Sequence, residues 1–210
     1  MASLKTKQYM VLISSTIAFT VCFMVWMMFA VLGIPIKKSL GLSETEFGLL
    51  TAIPVLTGSL VRLPIGLLTD KFGGRIVFFI LMLATVIPIY CVSFATEYWH
   101  FLVLGLFVGL AGGSFTVGIA YVAKWFDKSR QGLAMGIFGA GNAGTAVNKF
   151  IAPTLILAYG WTIVPNVYAV ILLATALLFW FFTYSDPNHK VASNVKFSEQ
   201  LRLMKDPAVL

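Results

Sequence analysis

The chain is poor in charge, in cysteine and in histidine, and each scarcity removes a class of protein. Only 11% of its 210 residues are charged while 59% are hydrophobic, and mean hydropathy is +0.91. That balance lies outside the range of water-soluble domains and makes this an integral membrane protein. Cys22 and Cys91 both fall within apolar runs, where a thiol acts as a small hydrophobe and gives no ground for a disulfide or a metal site. Neither His100 nor His189 lies near a nucleophile or at metal-ligand spacing, so an enzyme reading has no support and no cofactor or metal is expected. No Asp or Glu falls within the long apolar runs, which leaves no carboxylate there to carry a proton. A cleavable signal peptide is not expected either. The first run is far longer than the roughly 7 to 15 residues of a signal core, and no small-residue cleavage site follows it.

What the chain does have is length in its apolar runs. A bilayer core about 30 Å thick needs roughly 20 apolar residues in a helix. Six runs meet this, at about 9–36, 47–69, 76–95, 98–126, 132–159 and 162–184. The expected fold is all-α: a six-helix transmembrane bundle over residues 1–185, followed by a polar cytoplasmic segment over 186–210. Within that segment Phe197, Leu201 and Met204 recur at helical spacing, which fits either a short helix on the membrane surface or a disordered tail.

The net charge of +7 reports topology. Lys5, Lys7, Lys71, Arg75, Lys124, Lys128, Arg130 and the tail residues Lys190, Lys196, Arg202 and Lys205 fall on one side of a six-span arrangement, and only Lys37 and Lys38 on the other. The excess of Lys and Arg places both termini in the cytoplasm and argues against nucleic acid as a partner.

Polar residues inside the runs are the candidate functional groups, because they are expensive to keep in lipid. Arg62 lies about 10 Å from the cytoplasmic end of the second span with no acidic partner in any span. Its fixed fork of donors suits a planar oxyanion in a low-dielectric cleft, while snorkelling to the cytoplasmic surface is the alternative. The stretch Gly136 to Pro153 is the other concentration. Gly136, Gly139, Gly141 and Gly144 strip side chains from the helix surface, letting another backbone approach and leaving room for something small. Asn142 lies at a depth close to that of Arg62 and could donate to an anion oxygen, although a helix-to-helix hydrogen bond is the commoner use of Asn in membranes and the default for Asn148. By helical periodicity Lys149 shares a face with Asn142 and Thr145, and its stem could equally reach the outer interface. Phe115 sits at similar depth beside small residues. Gly139, Gly141 and Gly144 spell a dinucleotide-binding pattern, but with no preceding strand the match is accidental.

Between the second and third spans the chain reads GLLTDKFGGR, from Gly66 to Arg75. Gly66, Asp70, Lys71, Gly73 and Arg75 resemble the loop motif of the major facilitator superfamily, with Gly74 departing at the first of two basic positions. The resemblance implies a gating role for Asp70 and Arg75 through charge contacts with neighbouring helix ends. It also implies two nested three-helix repeats per half.

More narrowly, the glycine-rich run of Gly132, Gly136, Gly139, Gly141, Asn142 and Gly144 resembles the nitrate/nitrite porter (NarK-type) branch of that superfamily. Members of that branch hold the anion between an arginine on helix two and another on helix eight, with aromatic rings above and below. By resemblance Arg62 is the first arginine, Phe115 the aromatic on helix four and Asn142 the signature asparagine. Phe23 is a further candidate for the pocket wall, Gly139, Gly141 and Lys149 for its lining, and Gly136 and Gly144 for helix packing. The second arginine belongs to a C-terminal half not contained in this sequence, so the chain is expected to be an N-terminal half or to pair with another chain.

The expected function is alternating-access transport of nitrate and nitrite across the inner (cytoplasmic) membrane. Two hints conflict on coupling: the lack of span carboxylates favours exchange, while KFIAP resembles the proton-symport type. The alternatives are transport of another small anion or organic solute, and a non-transporting half-transporter partner.

Overall fold

In the lipid-spanning runs every backbone N–H and C=O must find its partner within its own segment, and the α-helix achieves this. The computed structural model describes residues 3–186; the expected surface helix around Phe197, Leu201 and Met204, and His189, lie outside the described residues. Its helices join into six rods. The first, Leu4–Leu40, comprises α1 (Leu4–Trp26) and α2 (Phe29–Leu40), and the second, Glu44–Phe72, comprises α3 (Glu44–Leu60) and α4 (Arg62–Phe72). The third is α5 (Gly74–Val92). The fourth, Tyr98–Ala123, runs through α6 (Tyr98–Val108), a 3-10 turn (Gly109–Gly113) and α7 (Ser114–Ala123). The fifth, residues 128–159, runs through α8 (Lys128–Gly139), a 3-10 turn (Ala140–Ala143) and α9 (Gly144–Tyr159), and the sixth is α10 (Ile163–Phe182).

Five of the rods are long and apolar enough to cross a membrane, and they match five of the expected spans. The fifth rod is not among them. It begins on the polar sequence KSRQ and carries Asn142, Asn148 and Lys149 among its glycines, so its hydropathy falls short although its backbone is helical throughout.

Four rods are broken, and the breaks have local causes. Pro64 has no N–H to give the carbonyl of Leu60, and the second rod breaks there, at Val61, with proline tolerated in the first turn of α4. The 3-10 turns fall on GLAGG and AGNA, where small residues allow the helix to tighten. The break in the first rod, at Met27 and Met28, has neither proline nor glycine.

The first rod is the hub of the bundle. Val11, Leu12, Ala18, Phe19, Cys22 and Val25 of α1 are buried, and α1 packs on α7, α9, α10 and both 3-10 turns. The third and sixth rods pack together along α5 and α10. Close approach to α1 depends on missing side chains. A Cβ at Gly144 would run into the carbonyl oxygen of Thr20 and one at Gly141 into the ring of Phe19, while at Gly58 it would lie 2.5 Å from the indole nitrogen of Trp26. Gly136, expected as a packing glycine, faces open space. The helix turns its other side to α1 at that depth, where Phe138 is buried instead.

Gly58→Ala is therefore expected to displace Trp26 and lower stability by about 1–3 kcal/mol, the usual cost of overpacking. Gly136→Ala, by contrast, should raise stability by about 0.5–1 kcal/mol through helix propensity. The midpoint of thermal loss of helicity in detergent measures both.

Candidate functional site

The residues expected to bind solute sit at or beside the helix breaks. Arg62 is the first residue of α4, and its guanidinium carbon lies 5.6 Å from the ring centre of Phe115 and 5.9 Å from that of Trp26. Such contacts are worth about 0.5–2 kcal/mol each, more when desolvated. The Nε of Arg62 is buried and has no hydrogen-bond partner among the described residues. The half-buried side chain therefore lies among aromatic rings.

The aromatic wall extends behind these rings. Phe19 lies 5.5 Å from Phe115, 5.3 Å from Phe23 and 4.8 Å from Phe138, the last pair stacked. Phe23 lies 5.1 Å from Trp26 and so lines the wall one layer behind the guanidinium. Trp26 is the member that sequence reasoning missed. Its indole N–H donates to the carbonyl of Pro54 at 2.8 Å, and its ring occupies a niche between Gly58 and Gly112. The signal was available, since Phe19, Phe23 and Trp26 follow one another at four and three positions and form an aromatic stripe on α1.

The glycine-rich rod contributes differently from expectation. Asn142 is exposed within the 3-10 turn, and its amide donates to the carbonyl of Gly139 in its own rod, 2.7 Å away. The structure shows no hydrogen bond between it and Arg62: α4 packs on α5 and α7, whereas this turn packs mainly on α1. Gly141, expected to line the anion path, closes on Phe19 instead, because α1 comes too near to leave a path there. Gly139 has open space beside it, and Lys149 is exposed on α9. Asn148 is buried, hydrogen-bonded to the Met27 carbonyl and to the Tyr168 hydroxyl.

The loop residues Gly66 to Arg75 reach two neighbouring helix ends. Asp70 pairs with Lys124 at the end of α7 at 3.6 Å, and Lys124 lies 4.0 Å from Asp186. Arg75 donates to the carbonyl of Trp180 in the last turn of α10 at 2.6 Å and stacks on that indole at 4.2 Å. A cation suits the unpaired carbonyls of a helix C-terminus. Tyr121 donates to the Tyr184 carbonyl nearby. Gly66 packs toward Thr116, Lys71 lies over the ring of Phe72, and Gly73 makes the turn with φ +86°. Gly74 departs from the basic pattern for a steric reason: a side chain there would run into Tyr121.

A family model described as Major Facilitator Superfamily matches residues 15–209. The chain belongs to the Major Facilitator Superfamily. Within the superfamily it is 45% identical over 181 residues to a protein of Thermus thermophilus named "Probable nitrate/nitrite antiporter", covering 80% of this chain and 41% of that one. It is 36% identical over 172 residues to the "Nitrite extrusion protein" of Bacillus subtilis, covering 82% and 44%. It is 37% identical over 178 residues to a "Probable nitrate transporter" of Staphylococcus aureus, covering 85% and 46%. The chain thus spans less than half the length of each of these relatives.

In this superfamily member the two loop charges differ in weight. The Asp70 carboxylate side chain is 58% exposed, so losing its ion pair in Asp70→Asn should cost less than about 1 kcal/mol. Arg75→Ala removes a stacked cation and a hydrogen bond together and should cost about 1–3 kcal/mol. Thermal midpoints of the two variants, compared in one detergent, check the order.

Proposed function

We propose that this chain forms the N-terminal half-bundle of a nitrate/nitrite transporter working by alternating access, with Arg62 as the counter-charge to the anion. The observation that carries the reading is the guanidinium held beside two aromatic faces with its Nε–H unpaired. A buried donor without a partner costs about 1–3 kcal/mol, and an anion oxygen removes that cost. A planar, singly charged oxyanion fits a planar fork of donors walled by rings, since it is met edge-on by N–H groups and face-on by carbon. The names of the relatives point to nitrate and nitrite as the oxyanions.

Phe115 packs on the anion plane and Trp26 seats the guanidinium. Asn142 and Lys149, both exposed on the fifth rod, are placed to meet the solute from the partner half or a second chain. In this reading the rods lie in the inner membrane with the Gly66–Arg75 loop and both termini on the cytoplasmic side, an orientation that the distribution of Lys and Arg supports.

Chemical protection tests the reading on the chain itself. With the protein in liposomes, nitrate and nitrite should slow modification of Arg62 by an arginine-selective dicarbonyl reagent, read by peptide mass, while Arg75 and Arg130 react unchanged. Bulky organic carboxylates should give no protection. Equal protection by such carboxylates would assign the site to an organic solute, and the absence of protection by nitrate would reject Arg62 as its ligand.

A further inference from the structure

The break in the first rod has no proline or glycine to cause it, and a side chain from another rod stands at it. Asn148 of α9 is 1% exposed, and its Nδ2 donates to the carbonyl of Met27 at 2.8 Å. Its Oδ1 accepts from the hydroxyl of Tyr168, on α10, also at 2.8 Å. Through this turn the backbone changes spacing. The N–H of Met28 bonds to Val25 at 3.0 Å, that of Ala30 to Met27 at 3.2 Å and that of Val31 to Met28 at 3.0 Å, each three residues back instead of four. The Met27 carbonyl accepts from Ala30, and the Asn148 amide holds the place beside it that the N–H of Val31 would take in a regular ladder; an inserted side chain is one of the recognised causes of a kink.

Trp26 is the residue before this break. Its seat is fixed on one side by the hydrogen bond to Pro54 and the niche between Gly58 and Gly112, and on the other by the direction in which α1 ends. Its ring lies 5.9 Å from the guanidinium carbon of Arg62. A continuous chain of contacts thus runs from Tyr168 through Asn148 to the Met27 carbonyl, then along one peptide unit to Trp26 and across to Arg62.

We propose that Asn148, supported by Tyr168, is a positioning residue: it sets the angle of the first rod at Met27 and so the seat of Trp26 on Arg62, making anion affinity depend on the fifth and sixth rods. The proposal rests on the reading of Arg62 as the counter-charge to the anion. Buried as it is, Asn148 cannot itself meet the solute. A role confined to holding the fold would change stability and leave affinity alone.

Two readouts on the whole chain in lipid nanodiscs separate these roles. The chain carries five tryptophans, so with 5-fluorotryptophan incorporated the Trp26 signal is assigned by its loss in Trp26→Phe. The second readout is the nitrate concentration that half-protects Arg62 from the dicarbonyl reagent. Tyr168→Phe removes a single oxygen at nearly constant volume, and Asn148→Ala removes the amide. Both should move the Trp26 resonance while leaving that of Trp99 in place. Both should also raise the half-protecting nitrate concentration by about three- to tenfold, the factor expected for one lost hydrogen bond. Combined with Trp26→Phe, Asn148→Ala should raise it by less than the product of the separate factors. Should Asn148→Ala fail to fold, Tyr168→Phe decides alone. If either readout stays still in folded Tyr168→Phe while nitrate protects the unsubstituted chain, the positioning role is overturned and the counter-charge reading survives. If nitrate fails to protect the unsubstituted chain, the counter-charge reading falls and the claim about affinity falls with it.

Discussion

The indole of Trp26 wedged where two neighbouring helices carry no side chain is the contact on which the rest of the site depends. Its ring needs both Gly58 and Gly112, since a Cβ at either would lie within 3 Å of it. With the ring in place its N–H reaches the backbone of α3, and its face is left for the cation that begins α4. In a membrane, where there is little hydrophobic drive between helices, such close packing supplies much of the cohesion. Small residues in the second and fourth rods therefore determine where a large residue of the first can sit. That large residue in turn determines where the charge can sit.

Arginine at depth in a membrane helix costs about 2.5–3.5 kcal/mol on insertion scales. The structure offsets part of this with aromatic faces and none of it with a carboxylate: Arg62 has no ion pair among the described residues. Neutralising it within the protein would remove its positive field from the bundle. The arginine at the loop end is handled in the opposite way, with Arg75 given both a carbonyl and an indole within the bundle. One guanidinium is tied into the scaffold and the other is left available, a difference set by where each stands on its helix.

Run length alone located five of the rods, because the bilayer imposes it, whereas Arg62 and Phe115 were brought together by the family resemblance, their similar depth alone leaving Phe115 an ordinary packing residue. Which face of the fifth rod packs on the first did not follow. Counting at 3.6 residues per turn puts Asn142 and Lys149 on one face, where both are exposed, and Asn148, six positions on from Asn142, on another, where its expected helix-to-helix hydrogen bond forms. Gly141, Gly144 and Asn148, at i, i+3 and i+7 across the 3-10 turn over Ala140–Ala143, all meet the first rod, but the count alone does not say which face packs there. Gly136 and Gly144 were likewise equivalent in sequence, yet only the second meets a backbone. Trp26 was hidden for another reason: its partners lie on three different rods, and no local pattern encodes a niche made by distant glycines.

The interruptions are not spread evenly over the bundle. α5 and α10, which pack along each other, each run as one continuous helix, Pro88 removing a single N–H from the ladder of α5, whereas the other four rods each break partway along. The bundle is accordingly stiff along one edge and compliant around the guanidinium. A load applied at either end is borne along the α5–α10 spine and relaxed at the four joints. The part of the molecule that yields is then the part that holds the guanidinium.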